Sequence, residues 1–229
     1  MYNFDVTYIL VIIGGLISLG AQSLVTGRYS KYKKVVSDKK NTGAKVARRI
    51  LDSNGLSHVE VKKVEGNLTD HYDPSNKTVN LSEDIYSGNS IASIAVAAHE
   101  CGHAIQDKDG YLFLRVRHSL VPIVNISTNL GYIVVMIGLA ASLFNLAMIG
   151  MLLLGIILVF QLVTLPVEFN ASTRGKKQLQ KIGISTNKDD SGVKDMLFAA
   201  ALTYVAALTS SILQILRLLI IVLSSRRDD

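Results

Sequence analysis

Three stretches of this 229-residue chain carry no Asp, Glu, Lys or Arg: Thr7 to Gly27, Ser119 to Val167 and Met196 to Leu216. A helix needs about 20 apolar residues to cross the hydrocarbon core of a bilayer. The middle stretch is more than twice that long, so it predicts two spans joined by a tight turn around Ser142 to Asn145. Four membrane helices result. A 49% hydrophobic share against 18% charged residues agrees, and excludes an ordinary soluble domain. The first span has no basic residue before it and no clean small-x-small cleavage site after it, so it reads as a retained anchor and not a secretory signal. Trp is absent, which leaves aromatic anchoring to Tyr8, Tyr32 and Tyr132. The lone Cys101 cannot form an internal disulfide and fits a reducing compartment.

The net charge of +6 is concentrated. Arg28, Lys31, Lys33, Lys34, Lys39, Lys40, Lys45, Arg48 and Arg49 follow the first span, and a second basic loop, "STRGKKQLQKIG", follows the third. Basic loops stay in the cytoplasm, and an antiparallel hairpin between these two puts both on that side. They also favour anionic headgroups. No aromatic-interleaved binding module accompanies them, so a nucleic-acid role is excluded. The fourth apolar block is interrupted by Arg217 and followed by Arg226 and Arg227. It is read either as a full crossing or as an oblique helix with Arg217 snorkelling to the interface.

This divides the chain into an N-terminal anchor (1–27), a loop of soluble character (28–118), a membrane hairpin (119–167), a second cytoplasmic loop (168–195) and a C-terminal membrane or oblique helix (196–229). Within the first loop, "GAKVARRILDSNGL" has a helical apolar stripe that Gly55 ends. "HVEVKKVEG" and "KTVNLS" alternate like strands, with "HYDPSNK" between them as a turn. An apolar helix, "IASIAVAAHECGHAIQD", follows. The fold expected is therefore a mainly α integral membrane protein, with about four transmembrane helices and an α+β loop domain that holds a small sheet and this helix.

That helix carries the chemistry. His99 and His103 are four residues apart, so they share one helix face and can hold one metal ion. Glu100 can reach a water beside that ion. This is the H-E-x-x-H pattern, in which two imidazoles bind Zn²⁺ and the glutamate takes a proton from the attacking water and passes it to the leaving amine. A chain of this composition, shuffled, contains the pattern about 0.002 times, so it is specific. A catalytic zinc takes a third protein ligand and keeps one position open. His58, His71 and His118 are poorly placed for that. Glu168, in "TLPVEFNASTRG", is the sole acid between Asp109 and Asp189 and sits at the end of the third span, where an acid is costly unless paired or metal-bound. The bland alternative is an interfacial acid neutralised by Arg174.

"SEDIYSGNSIASIAVAAHECGHAIQ" together with "LPVEFNAS" resembles the bacterial membrane-bound neutral zinc metallopeptidases called YugP-like, and more distantly the HtpX and CAAX prenyl proteases. The similarity runs over nearly the whole chain. It implies a zincin-like, gluzincin arrangement: His99, His103 and Glu168 as zinc ligands and Glu100 as general base. In the HtpX-type pattern an aspartate four residues after the ligand glutamate supports a zinc-bound His. Here Ser172 stands at that position, with Asn170 nearby, and a Ser supports an imidazole more weakly than a carboxylate does. In such enzymes the substrate main chain pairs with an exposed edge strand, for which "KTVNLS" is the candidate. Tyr204 is the candidate donor to the oxyanion. Cys101 lies about 200° around the helix from His99 and reads as packing, while Gly102 reads as permitting close helix contact beneath the metal.

The function expected is a membrane-bound zinc endopeptidase at the cytoplasmic face of the bacterial cell membrane, acting on protein or peptide substrates. A non-proteolytic scaffold with a structural or vestigial metal is the alternative. Glu100 argues against it, since a structural site would fill its fourth position with a protein ligand. A site-2-type intramembrane protease would need a buried Asp near Asn-Pro, and the spans contain no aspartate. A transporter would need paired intramembrane charges, and Arg217 is the one charged residue that the sequence places within the spans.

Overall fold

A computed structural model describes residues 6–225. The C-terminal Arg226 and Arg227 lie outside the described residues. The chain forms two compact units, one taking in the described part of 1–22 with 116–165 and the described part of 202–229, the other 23–115 and 166–201. Four helices are long and apolar enough to cross a membrane: α1 (Tyr8–Lys33), α5 (Leu112–Ala140), α6 (Phe144–Lys181) and α7 (Asn187–Ser225). Three residues separate α5 from α6, and Ser142 takes a positive φ of 54° in the turn. The tight turn predicted there is present.

In the first unit, α5 and α6 approach through small residues. A Cβ on Gly138 would lie 2.4 Å from the Ala147 amide nitrogen, and one on Gly150 would lie 2.6 Å from that of Val135. Lipid offers no hydrophobic drive between helices, so such close backbone contact is how membrane helices gain packing energy. Val135, Ala147, Met151, Leu154 and Val222 form the small core there. Large apolar side chains such as Leu152 and Ile126 face outward, as a bilayer-embedded surface requires. Arg217 does not break α7. Its guanidinium stacks 4.0 Å from the centroid of the Tyr8 ring.

In the second unit, α2 (Gly43–Ser53) begins at Thr42, whose side chain accepts from the Lys45 amide. It buries Val46, Ala47, Ile50 and Leu51, the stripe read from sequence. Gly55 follows at φ 72°, a left-handed turn that ends the helix at little cost to a residue without Cβ. β1 (Glu60–Val64), β2 (His71–Asp73) and β3 (Thr78–Ser82) form a sheet in the order β1-β3-β2, with β1 parallel and β2 antiparallel to β3. Two expectations are corrected. "HYDPSNK" is not all turn: its first three residues are β2, and Asp73 then closes the turn by accepting from the Ser75 and Asn76 amides. "KTVNLS" holds the middle strand, β3, whose five residues are all buried, so it cannot pair with substrate. The edge strands are β1 and β2. After the short α3 (Glu83–Tyr86), α4 (Ile91–Lys108) starts at Ser90, whose hydroxyl accepts from the Ser93 amide. Asp107 of α4 holds β2 and the β2–β3 turn by accepting from Tyr72 Oη and Lys77 Nζ, each at 2.6 Å.

The contact of α4 with α6 positions the site. A Cβ on Gly102 would lie 2.3 Å from the Ala171 carbonyl oxygen, and one on Gly175 would lie 2.4 Å from that of Ala98. Both obstacles are backbone, which cannot rotate away. Gly102→Ala is therefore expected to force the helices apart, costing about 1–3 kcal/mol of stability and weakening zinc retention. Thermal unfolding and metal content of the variant measure both. An unchanged melting temperature would show that the crossing tolerates a methyl group.

Candidate metal centre

α4 presents His99, Glu100 and His103, and α6 presents Glu168. One helical turn separates the histidines, whose rings meet edge-on with centroids 4.8 Å apart. Glu168 Oε2 lies 3.3 Å from His99 Nε2 and 3.5 Å from His103 Nε2. Two ligands held tetrahedrally at zinc-bond lengths of 2.0–2.2 Å stand about 3.4 Å apart, so these spacings and this N,N,O donor set fit one zinc ion. His99, His103 and Glu168 each offer a ligand atom within 4.8 Å of the others, and theirs is the metal-capable group of this kind among the described residues. Glu168 is 2% exposed. Arg174 donates instead to Asn170 Oδ1 and pairs with Asp109, so the reading of Glu168 as an acid neutralised by Arg174 finds no support.

The surrounding bonds decide which imidazole nitrogen is free. Gln106, fully buried, donates from Nε2 to the Val167 carbonyl at 2.8 Å and to Asn170 Oδ1 at 3.0 Å. A carbonyl can only accept, so the amide orientation is fixed and Gln106 Oε1 faces His103 Nδ1 at 3.0 Å. Nδ1 must then carry the proton. The lone pair of His103 is on Nε2, toward Glu168. At His99 the partner is Ser172 Oγ, 3.1 Å from Nδ1, and a hydroxyl can donate or accept. Ser172 orients His99 without fixing its tautomer.

Glu100 is 7% exposed and is not in the ligand group. Asp70, just before β2, is close enough to feel its charge. Burial holds the Asp70 carboxyl above the usual range, opposed by the bond from the Ser82 amide, and Glu100 pushes the same way as burial. Cys101 is buried with its thiol toward the Ala47 carbonyl, and burial pushes its pKa up. It packs. His58 and His71 line a polar hollow beside the sheet, and His71 bonds to Thr69 and Asn80. Tyr204 is half-buried on α7 in the other compact unit.

Sequence reasoning missed Gln106 and Asp70. The signal for Gln106 was available: a polar residue three positions after His103, on the helix face that carries the ligand. Gln106→Ala is expected to lower zinc affinity by about 10–100-fold, and Gln106→Glu, which keeps an acceptor for Nδ1 but loses the donation to Val167 and Asn170, to restore only part of it. Competition with a zinc chelator measures both. Equal affinity in all three proteins would remove the role.

A paired-histidine and glutamate group able to hold a metal ion, in a chain that also carries four bilayer-length helices, has the features of a metal-binding membrane protein. Residues 7–223 match the family described as "Putative neutral zinc metallopeptidase". The chain belongs to that family. It is 44% identical over 223 residues to the "Putative membrane protease YugP" of Bacillus subtilis (strain 168), an alignment covering 97% of this chain and 99% of the relative. No solved structure matches the chain. Family and donor set together assign Zn²⁺ as its cofactor.

Proposed function

We propose that the chain is a zinc endopeptidase of the cytoplasmic membrane face, cleaving protein or peptide substrates close to the bilayer. The observation that carries the reading is the convergence of His99, His103 and Glu168, with buried Glu100 beside that group and outside it. Zinc, when bound, supplies Lewis acidity to a carbonyl and lowers the pKa of water to about 7. His99, His103 and Glu168 hold the ion. Glu100 accepts a proton from the attacking water and delivers it to the leaving amine. Gln106 keeps His103 in the ligating tautomer, Ser172 orients His99, and Asn170 anchors Gln106.

The catalytic part combines the loop 28–118 with the segment 168–195, and the membrane part comprises 1–27, 119–167 and 196–229. The basic residues of both loops support a cytoplasmic orientation and attraction to anionic headgroups. With β3 in the middle of the sheet, β2 takes over as the edge for substrate pairing. It lies next to Asp70, and Asp70 feels the charge of Glu100.

Elemental analysis of the detergent-purified protein, paired with cleavage of denatured casein, tests the reading. One zinc per chain and hydrolysis lost on chelation and regained with Zn²⁺ are expected. Bound zinc without hydrolysis of casein or of denatured membrane proteins would favour a scaffold instead.

A further inference from the structure

We propose that a groove between α6 and α7 seats one anionic phospholipid drawn from the surrounding bilayer. The groove encloses about 360 Å³. Phe169 of α6 and Leu197 and Phe198 of α7 make its apolar wall, and Lys176, Lys177 and Lys194 line it as well. Both phenylalanines are exposed, Phe169 at 41% and Phe198 at 54%, a state that suits aromatic rings at a lipid boundary.

Charge points to the occupant. No acid lines the groove. Some lysines elsewhere in the chain have carboxylate partners, as Lys33 has in Asp84, Lys63 in Glu83 and Lys77 in Asp107. Among the described residues no ion pair engages Lys176, Lys177 or Lys194. Asp190, close enough for Lys176 to feel it, is taken by Ser185 and Gln180. Three lysines therefore line a concave apolar surface that holds no acid of its own, with Asp190 acting on Lys176 alone from outside the lining.

Polarity is ordered along both helices in the same sense. On α6 the uncharged run ends at Val167, Phe169 follows, and Lys176 and Lys177 come two turns later. On α7 Lys194 comes first, then Leu197 and Phe198 at the start of the uncharged run. Each helix thus places its aromatic ring beside its apolar segment and its lysines on the far side. An acyl chain along the rings and a phosphate at the lysines match that order. A substrate peptide fits less well. Ser172 lines the groove and contacts His99 at Nδ1, whereas Nε2 faces Glu168, so the groove lies behind the imidazole, away from its ligating nitrogen.

The proposal rests on the chain being a membrane protein and not on its being a peptidase, so lipid retention and casein cleavage fail separately. The full-length protein is released from mixed phosphatidylcholine and phosphatidylglycerol micelles, and retained lipid is counted by native mass spectrometry. Wild type is expected to keep one phosphatidylglycerol, undisplaced by inorganic phosphate. The Lys176→Gln, Lys177→Gln, Lys194→Gln triple variant should retain it about 100-fold less, and Phe198→Ala should also lose it. A control triple, Lys34→Gln, Lys39→Gln, Lys45→Gln, removes equal charge elsewhere and should keep it. Zinc content at the wild-type level shows that the variants fold. Equal loss in the control would reduce the effect to diffuse charge and overturn the site. So would undiminished retention in the groove variants, displacement by phosphate alone, or displacement by an acidic peptide.

Discussion

Replacing Glu100 by glutamine is expected to lower peptide hydrolysis by about 10²–10⁴-fold while zinc content stays at the wild-type level. Glutamine keeps the size and shape of the side chain but cannot take a proton from water. Glu100 is outside the ligand group, so metal retention should not depend on its charge. Nor should the fold suffer, because removing that charge relieves its repulsion with the half-buried Asp70. The comparison is of casein cleavage rates in wild type and variant, each normalised to bound zinc. A rate within a few-fold of wild type would place the general base elsewhere. Loss of zinc would make Glu100 part of the metal site.

Glu168→Gln should do the reverse, losing the metal and activity with it. The substitution preserves volume at a position only 2% exposed, so packing is not the variable. It removes the sole anion among the three donors. Two imidazoles and a neutral amide oxygen leave the dication uncompensated in a buried site, and affinity should fall by more than the about 10–100-fold typical of losing a supporting residue. Chelator competition gives the affinity. Cobalt substitution gives an independent signature, since its visible spectrum reports coordination even without turnover. Unchanged zinc affinity would return Glu168 to an interfacial acid and leave the third ligand to another residue.

What the sequence discloses depends on how local the signal is. The spans are legible because desolvation acts on runs of residues, and a run without charge is visible directly. The histidine pair is legible because both ligands lie one turn apart on one helix. Glu168 is legible from cost: an acid at the end of a charge-free run needs a reason. β2 is hidden because three residues, His71 to Asp73, share their composition with the turn that follows. The order of the sheet is hidden because β1 pairs with β3 in parallel, a non-local choice that leaves no periodic trace. Gln106 resembles a solvent-facing helix residue until α6 is packed over it and its amide meets Val167 and Asn170.

The order of ligands along the chain has a consequence for biogenesis. His99 and His103 precede the α5–α6 turn, whereas Glu168 follows almost all the apolar length of α6. A ribosome therefore delivers the third donor only after both strokes of the hairpin have been made. Until that hairpin has inserted and α6 has closed on α4 through Gly102 and Gly175, the nascent chain holds two histidines without their anion. A metal centre assembled in this order stays incomplete during synthesis and closes only once the hairpin is in place.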